Sequence, residues 1–333
     1  MLLITTVNNA PIQHRNLYLY EGATGNVSKV KNNILELIGN TPVVKLDKIR
    51  DDCPANVLAK LEMVNPSGSA KARAALGMLM AAEQAGKISP GSVIVEPTSG
   101  NQGIALAMVG AVKGYKIIVV MPDSMSNERR QLARAYGAEV VLTPAAADVG
   151  GAVSKARELA EQIPNAWMPD QFANPNNPAY HERTTALEIL AQVDSKIDAY
   201  VSGVGTGGTL TGVARVLKKE FPDLRVYAVE PQKSAVLSGG KPGRHGIQGI
   251  GDGFIPDNLD LGLVDSPFAV TDEDAFAMTR RLAREEGILV GISGGAAVFA
   301  ALAVGRELGP GKTVLTILPD TGERYLSTAV FGE

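Results

Sequence analysis

The chain has 333 residues, of which 45% are hydrophobic and 20% are charged. This length and composition predict a large buried core and about two domains. A net charge of −3 without a basic run disfavours nucleic acid and anionic membranes as partners. Cys53 is the only cysteine and the three histidines are scattered, so we expect no internal disulfide and no metal site. The apolar start, residues 1–6, is too short for a signal or a membrane span, which predicts a cytoplasmic protein.

Predicted strands and helices alternate along most of the chain. Residues 1–32 do not follow this rhythm and are interpreted as an N-terminal extension. The predicted strands are 57–63, 93–96, 116–121, 139–142, 199–201, 226–229 and 314–318. The predicted helices are 70–85, 101–113, 127–136, 151–162, 177–192, 210–219, 271–286 and 295–308. The alternation predicts an α/β fold of two open parallel-sheet domains, residues 33–180 and 181–333, with the active site between them.

The first chemically informative segment is residues 65–73, with the sequence N-P-S-G-S-A-K-A-R. Its turn residues lead into a predicted helix, and Lys71 lies in the first helical turn. A lysine there opposes the helix dipole, which favours anions at this end. In a dry site this placement would lower the pKa of Lys71 and make it a better nucleophile and base. The alternative is a solvated lysine at the start of a helix.

A second segment, residues 96–103, again passes from a strand through a turn into a helix. Its hydroxyls, amides and helix N-terminus could hold a carboxylate, such as the head group of an amino acid. The candidate ligands are Thr98, Ser99, Gly100, Asn101 and Gln102. Ordinary helix capping by one of these residues is the alternative.

The third segment is the glycine-rich turn G-V-G-T-G-G-T at residues 203–209. A strand, a glycine turn and a helix start together form a phosphate site. The turn contains no Lys or Arg. We therefore expect it to bind one phosphate group through backbone amides and the Thr206 and Thr209 hydroxyls. The same glycines fit the dinucleotide fingerprint, with Glu230 at the expected distance, which leaves a nicotinamide-dependent oxidoreductase open.

Two later segments complete the pattern. Residues 234–258 form a long irregular connection, and long loops in compact domains often serve function. Ser293 lies in a glycine-walled turn before an apolar helix, which by itself indicates a helix cap.

Taken in order, these segments resemble the fold-type II pyridoxal-phosphate-dependent β-family, and within it the cysteine synthases (O-acetylserine sulfhydrylases). The resemblance covers roughly residues 33–329 and implies a tryptophan synthase β-like fold. Its motifs lie at residues 38–42, 65–71, 98–101, 121–122, 125–126, 128–130, 171–172, 205–209, 248–251, 253–256 and 322–328. Each motif is weak alone, but the ordered set is highly specific.

The resemblance implies a role for each site residue. Pyridoxal phosphate would be bound covalently by Lys71, in the first predicted domain, with Asn101 at the pyridine 3′-oxygen and Ser293 at the ring nitrogen. Its phosphate would be held in the second domain by Gly205, Thr206, Gly207, Gly208 and Thr209. The residues implied around the substrate are Thr98, Ser99, Gly100, Asn101, Gln102, Gln171, Gly251 and Asp252.

The implied reaction is a β-replacement that makes L-cysteine. O-acetylserine, or a related activated serine, would lose its β-substituent to give an α-aminoacrylate, to which sulfide adds, with Lys71 moving the α-proton. A cysteine desulfhydrase or thiol-exchanging β-lyase of the same family is the alternative. The resemblance further implies a homodimer and a possible serine acetyltransferase partner.

Five positions depart from the usual cysteine synthase pattern, namely Ala70, Ala72, Gln102, Asp252 and Gly294. Gln102 adds bulk and an amide at the carboxylate end of the site. Asp252 is either a surface residue in a turn or a negative charge that points at the pocket. In the second case it would repel bisulfide, which favours a lyase or a different nucleophile.

Overall fold

A computed structural model describes residues 30–98 and 100–332 of the protein. The predicted extension, residues 1–32, therefore lies outside the described residues except for the exposed residues 30–32. Within the described ranges, no helix is both long and apolar enough to span a membrane.

The strands of the described chain form two sheets. They are β1 (Val43–Leu46), β2 (Asn56–Leu61), β3 (Val93–Pro97), β4 (Lys116–Pro122), β5 (Glu139–Thr143), β6 (Ala166–Trp167), β7 (Ala199–Gly203), β8 (Arg225–Pro231), β9 (Ser266–Val270) and β10 (Thr313–Leu318). All seven predicted strands are present. The three that were not predicted, β1, β6 and β9, lie at sheet edges, where a short or proline-containing strand gives little periodic signal.

The larger sheet has the strand order β1-β2-β10-β7-β8-β9, and only β1 runs antiparallel to its neighbour. The smaller sheet has the order β5-β4-β3-β6 and is parallel throughout. The predicted α/β fold of mainly parallel sheets is thus confirmed. Strands β1 and β2 join the sheet of the C-terminal half, while the division at residue 180 stays a prediction.

Helices connect the strands in almost every interval. They are α1 (Lys71–Gln84), α2 (Asn101–Lys113), α3 (Asn127–Ala135), α4 (Asp148–Gln162), α5 (Asn176–Arg183), α6 (Thr185–Gln192), α7 (Gly208–Glu220), α8 (Asp272–Arg281) and α9 (Ile292–Leu308). A wider π-type turn, Leu282–Glu286, follows α8.

One predicted helix is two helices in the structure. The expected helix 177–192 is interrupted at Thr184, whose backbone leaves the helical region at φ −127° and ψ −77°. The Thr184 hydroxyl donates a 2.6 Å hydrogen bond to the Tyr180 carbonyl, so a side chain satisfies a carbonyl of the interrupted turn. Periodicity alone did not reveal this break because α5 and α6 both present apolar faces.

Each sheet is covered by helices on both faces, as its alternating side chains require. In β10, Val314 and Leu318 pack with residues of α8 and α9, whereas Leu315 and Ile317 pack with residues of α6 and α7. The smaller sheet likewise packs with α1 and α2 on one face and with α4 on the other. The segments that follow β7 and β10 lie at the carboxyl edge of the larger sheet, and they line one cavity together with the segment that follows β3 of the smaller sheet.

Candidate active site

The cavity at the strand ends brings together residues that are far apart in the sequence. The predicted site residues that line it are Lys71, Thr98, Asn101, Gln102, Gln171, Gly205, Thr206, Gly207, Thr209, Asp252 and Ser293. Gly251 borders an adjoining space, and Gly100 and Gly208 support the two turns without lining the cavity. Ser99 lies outside the described residues.

Lys71 is the first residue of α1, and its position is set by the turn before it. Ser67 and Gly68 both have left-handed backbone conformations, with φ of +67° and +70°, and the Ala70 amide donates to the Pro319 carbonyl at 2.8 Å. Burial lowers the pKa of Lys71, while the negative charges of Asp252 and Asp320 oppose that shift. A larger fraction of neutral amine is what a nucleophile and base requires.

The turn between β3 and α2 forms a second wall of the cavity. The Gly100 amide donates to the Thr98 hydroxyl at 3.1 Å. Gly100 has φ +143°, and a Cβ there would lie 2.2 Å from Cδ of Arg129, so only glycine fits. The Asn101 side-chain amide donates to Oδ2 of Asp320 at 2.7 Å, while its own oxygen is buried without a partner among the described residues.

Gln102 is the most unusual polar residue of this wall. Its side chain is buried, with 1% of its surface exposed, and neither amide atom has a hydrogen-bond partner in the described ranges. Gln171 faces the same cavity and donates from its side chain to the Pro97 carbonyl at 3.5 Å. Buried polar groups are normally satisfied, so the unpaired amide of Gln102 indicates a place for a polar ligand.

The glycine-rich turn between β7 and α7 is shaped by close backbone contacts. A Cβ at Gly205 would lie 2.5 Å from the Gly249 carbonyl oxygen, and one at Gly208 would lie 2.1 Å from Oδ1 of Asn177. Gly207 has a left-handed backbone conformation, with φ +77°, which glycine adopts without steric cost because it has no Cβ. The turn therefore presents bare backbone amides and the N-terminus of α7, as an anion site requires.

Polar residues behind this turn fix its two threonines. Asn177 donates to the Thr206 hydroxyl at 3.0 Å, and the Thr209 hydroxyl lies 3.2 Å from Nε2 of His181. Burial lowers the pKa of His181 to about 3, so the imidazole is neutral. The charge of a bound phosphate would thus be balanced by amides and the helix dipole, in agreement with a turn that lacks Lys and Arg.

Glu230 does not play the part that a dinucleotide site requires. Its carboxylate accepts hydrogen bonds from the amides of Leu237 at 2.7 Å and Ser238 at 3.0 Å. Glu230 is also buried. Glu230 therefore anchors the following loop. It is not available to bind a ribose hydroxyl, as the acidic residue of a dinucleotide site would.

Two of the five departures from the family pattern have a structural explanation. Asp252 lies on the cavity wall, where its Oδ2 is 3.9 Å from the position of a Cβ on Gly205, so the interpretation as a surface turn is wrong. At Gly294, a Cβ would lie 2.4 Å from Cγ2 of Val290, which leaves no room for a serine side chain.

Sequence reasoning assigned no role in the site to three of its neighbours, Arg129, Asp320 and Tyr325, although Arg129 and Tyr325 lie within motifs of the resemblance. Arg129 lines the cavity with its guanidinium 4.8 Å from the ring centroid of Tyr325. Oδ2 of Asp320 accepts a 2.6 Å hydrogen bond from the Tyr325 hydroxyl, in addition to the bond from Asn101. The sequence position of Asp320 could have indicated its place in the site, because it follows the carboxyl end of the central strand β10, where ligands bind in such sheets.

The residues of the cavity fit pyridoxal phosphate, the group implied by the resemblance. Lys71 supplies an amine with a lowered pKa, and the glycine-rich turn supplies a phosphate cradle without side-chain cations. The unpaired oxygen of Asn101 and the hydroxyl of Ser293 supply polar atoms on the same cavity. The side-chain amide of Gln102 is a further buried polar group on this cavity without a partner in the described ranges.

Comparisons with known proteins agree with this geometry. Residues 34–320 match the family described as pyridoxal-phosphate dependent enzyme. A cysteine synthase of Staphylococcus aureus is 55% identical over 91% of this chain and 98% of its own length. A probable cysteine synthase of Bacillus subtilis is 53% identical over 90% of this chain and 97% of its own length.

Solved structures extend the same similarity. The crystal structure of O-ureido-L-serine synthase matches with a TM-score of 0.88 and 46% identity, over 91% of this chain and 96% of that one. A hydrogen sulfide-producing enzyme from Fusobacterium nucleatum matches with a TM-score of 0.87 and 45% identity, over 89% of this chain and all of the other. The chain therefore belongs to the family of pyridoxal-phosphate-dependent enzymes.

Proposed function

We propose that this protein makes L-cysteine by β-replacement, from O-acetylserine or a related activated serine and sulfide. The observation that carries the proposal is the placement of Lys71 on one cavity wall with the glycine-rich turn and the β3–α2 turn. A base, a phosphate site and a carboxylate site in one cavity are what this reaction needs. The cysteine synthase of S. aureus and the probable cysteine synthase of B. subtilis, each more than half identical to this chain, support the assignment.

In this proposal the β3–α2 turn holds the substrate carboxylate. Thr98, Asn101 and Gln102 of this turn line the cavity, and Gln171 lines it as well. The unpaired amide of Gln102 would gain a hydrogen-bond partner when the carboxylate arrives. Satisfying a buried orphan group is worth about 1–3 kcal/mol, which is enough to fix the orientation of a small amino acid.

Lys71 would move the proton at the α-carbon of the substrate. When bound, pyridoxal phosphate supplies an electron sink that stabilises negative charge at this carbon. Since burial lowers the pKa of Lys71, its neutral amine can accept the α-proton and later return it from Nζ. Acetate leaves the β-carbon with its bonding electrons, and bisulfide forms the new carbon–sulfur bond.

A second candidate function is the release of sulfide from cysteine. It is favoured by Asp252, a carboxylate on the cavity wall that would repel bisulfide. The similarity to the hydrogen sulfide-producing enzyme from F. nucleatum supports the same candidate. In this reaction cysteine and water would give hydrogen sulfide, pyruvate and ammonia.

Two assays with the same holoenzyme separate the candidates. We expect rapid cysteine formation from O-acetylserine and sulfide, and slow release of sulfide and pyruvate from cysteine alone. Faster turnover of cysteine alone would favour the lyase. Replacing O-acetylserine with O-phosphoserine or serine in the first assay identifies the donor. Lack of turnover with every donor would refute the synthase proposal.

The assembly and location of the protein remain predictions. A homodimer and a serine acetyltransferase partner are implied only by the resemblance, and a cytoplasmic location is an expectation from the sequence alone. Light scattering on the purified protein would measure the mass of the assembly against 34.9 kDa for one chain. A mass near this value would exclude the dimer.

A further inference from the structure

Two buried asparagines, Asn177 and Asn258, lie near the catalytic cavity, and neither is among the described residues that line it. Asn177 is in the first turn of α5, and Asn258 ends the irregular loop 234–258. Their side-chain amides donate to the same acceptor, the backbone carbonyl of Gln171, at 2.9 and 2.8 Å. Because Gln171 lines the cavity, the two asparagines together fix the backbone of a residue expected at the substrate.

Asn177 has a second contact, which joins Gln171 to the glycine-rich turn. The atom of Asn177 that faces the Gln171 carbonyl is the amide nitrogen, because a carbonyl only accepts hydrogen bonds. The same nitrogen donates to the Thr206 hydroxyl at 3.0 Å. An amide nitrogen carries two hydrogens, so one is used for Gln171 and the other for Thr206.

The direction of the hydrogen bond from Asn177 determines what Thr206 can do. The Thr206 oxygen accepts from Asn177 and, at 3.4 Å, from the backbone N–H of Gly208. A hydroxyl has two acceptor positions and one hydrogen. With both acceptor positions used, the hydrogen of Thr206 is left for an acceptor on the cavity side, and Thr206 lines the cavity. A phosphate oxygen is such an acceptor.

Gly208 makes room for this arrangement. A Cβ at Gly208 would lie 2.1–2.7 Å from the oxygen, carbon and nitrogen of the Asn177 side-chain amide, which is too close for any other residue type. The amide of Asn177 therefore lies directly against the start of α7, behind the turn that carries Thr206.

We propose that Asn177 is a positioning residue with two functions. It directs the Thr206 hydroxyl towards the phosphate of pyridoxal phosphate, and through the Gln171 carbonyl it holds the substrate side of the same cavity. The second function rests on the proposed function, in which Gln171 faces the substrate carboxylate. Asn258 shares only this second function, because its side chain donates to the Gln171 carbonyl and not to Thr206.

The first test measures phosphate recognition by the full-length apoprotein. Titration followed by absorbance gives the Kd for pyridoxal phosphate and for pyridoxal, which lacks the phosphate. We call the ratio of the second Kd to the first the phosphate preference. We expect Asn177→Leu to lower this preference about fivefold, because the Thr206 hydroxyl loses the donor that sets its direction. Asn258→Leu is the matched control, since it removes an amide from the same carbonyl, and should leave the preference unchanged.

A double-mutant cycle shows whether Asn177 acts through Thr206. Thr206→Val removes the hydroxyl with little change in shape and should lower the phosphate preference about tenfold, whereas Thr206→Ser keeps a hydroxyl and should retain the preference. Adding Asn177→Leu to Thr206→Val should cause no further loss. Circular dichroism verifies that each apoprotein is folded, and Asn177→Ala provides the same comparison with a smaller side chain.

The second test uses the holoenzyme at saturating pyridoxal phosphate. Asn177→Leu and Asn258→Leu should each raise KM for O-acetylserine about threefold, because the Gln171 carbonyl loses one of its two donors. Steady-state kinetics with sulfide as the second substrate measures this effect.

The outcomes distinguish this inference from the function on which part of it rests. An unchanged phosphate preference in Asn177→Leu, an equal fall in Asn177→Leu and Asn258→Leu, or additive losses in the double variant overturns the role of Asn177 at Thr206. An unchanged KM in both asparagine variants overturns the role at Gln171. Lack of turnover with every donor refutes the proposed function, while the phosphate preference, which is measured without substrate, still tests the role at Thr206.

Discussion

Helix α1 begins with two cations, Lys71 and Arg73, that have opposite surroundings. Lys71 lines the catalytic cavity, and burial lowers its pKa. Arg73, two residues later, is fully buried, yet its guanidinium donates to two carboxylates, those of Glu62 and Glu188, at 2.6–2.8 Å. Within one helical turn the chain thus leaves one cation for chemistry and uses the other for structure.

Arg73 belongs to a buried ionic network that also includes Lys60, Glu62 and Glu188. Lys60 donates to Glu188 at 2.8 Å and to the Thr41 carbonyl at 2.6 Å. Its two positive and two negative charges balance, and each charged side chain has several partners. Such a network is stable only when all of its members are satisfied.

Two buried glutamates show the same contrast. Burial would raise the pKa of Glu62, but the charge and hydrogen bonds of Arg73 outweigh it and lower the pKa. Glu96 has no such cation, and burial raises its pKa to about 8. One of its oxygens accepts a hydrogen bond from the backbone N–H of Gln171 at 3.4 Å, and the other has no partner in the described part of the chain. A buried glutamate with a cation partner thus has a lowered pKa, and a buried glutamate without one has a raised pKa.

The largest expected effect is on the catalytic side. Lys71→Ala should reduce turnover by a factor of about a thousand or more, because the variant lacks both the covalent attachment and the base. The melting temperature of the variant should match that of the wild-type apoprotein, since no network partner is lost. Steady-state kinetics measures the first expectation and circular dichroism the second.

A matched variant controls for charge. Lys87→Ala removes an exposed lysine just beyond the end of α1 and should retain full activity. Borohydride treatment followed by mass spectrometry should label Lys71 in the wild type and nothing in Lys71→Ala. Normal turnover in Lys71→Ala would remove Lys71 from its proposed role.

The second prediction tests the scaffold. Arg73→Met should lower the free energy of unfolding by about 3–5 kcal/mol, because Glu62 is left buried without its cation. Denaturant unfolding measures this loss. The control is Arg215→Met, whose guanidinium also contacts two carboxylates but is 40% exposed, so a loss of no more than about 1 kcal/mol is expected. Equal losses in the two variants would contradict the structural role of the network.

Much of the site could be predicted because its signals are local. The turns at residues 65–71, 96–103 and 203–209 each place chemistry within a few residues of a strand end or helix start. The identity of the cofactor could be predicted from the family resemblance, because these turns occur in the same order as in the family. The irregular loop 234–258 contributes Gly249, Ile250 and Asp252 to the cavity wall, and its functional role stays a prediction.

The rest depends on contacts between distant residues. The Arg73–Glu188 ion pair joins residues 115 positions apart, and the bond from Asn101 to Asp320 spans 219 positions. No local pattern encodes such pairs. The placement of Asp252 on the cavity wall has the same origin, because it depends on a folded loop that has no periodic signal. The assignment of β1 and β2 to the larger sheet likewise requires the pairing of β2 with β10.

The third prediction concerns the pH dependence of stability and compares the two buried glutamates, Glu96 and Glu62. Between pH 4.5 and 8 the folded chain keeps the Glu96 proton, whereas the unfolded chain has lost it. Each rise in pH within this window therefore favours unfolding, by up to about 1.4 kcal/mol per unit. Glu96→Gln mimics the protonated carboxyl and lacks this dependence.

From pH 6 to pH 7.5 we therefore expect the wild type to lose about 2 kcal/mol of stability relative to Glu96→Gln. Glu62→Gln provides the opposite case, because it removes a paired anion and should destabilise the protein at both pH values. Parallel stability curves for the wild type and Glu96→Gln would show that Glu96 is ionised in the folded protein.

The fourth prediction concerns the glycine-rich turn between β7 and α7. In Gly205→Ala the new methyl group would meet the Gly249 carbonyl oxygen at 2.5 Å, a backbone atom that cannot rotate away. The turn must shift, and the dissociation constant for pyridoxal phosphate should rise about tenfold, equivalent to about 1.4 kcal/mol. Titration of the apoprotein, followed by absorbance, measures this constant.

In α4, Gly150→Ala places its methyl group in open space, so it should leave the constant unchanged and stabilise the helix by about 0.5–1 kcal/mol. Equal affinities for Gly205→Ala and Gly150→Ala would show that the turn between β7 and α7 does not hold the phosphate.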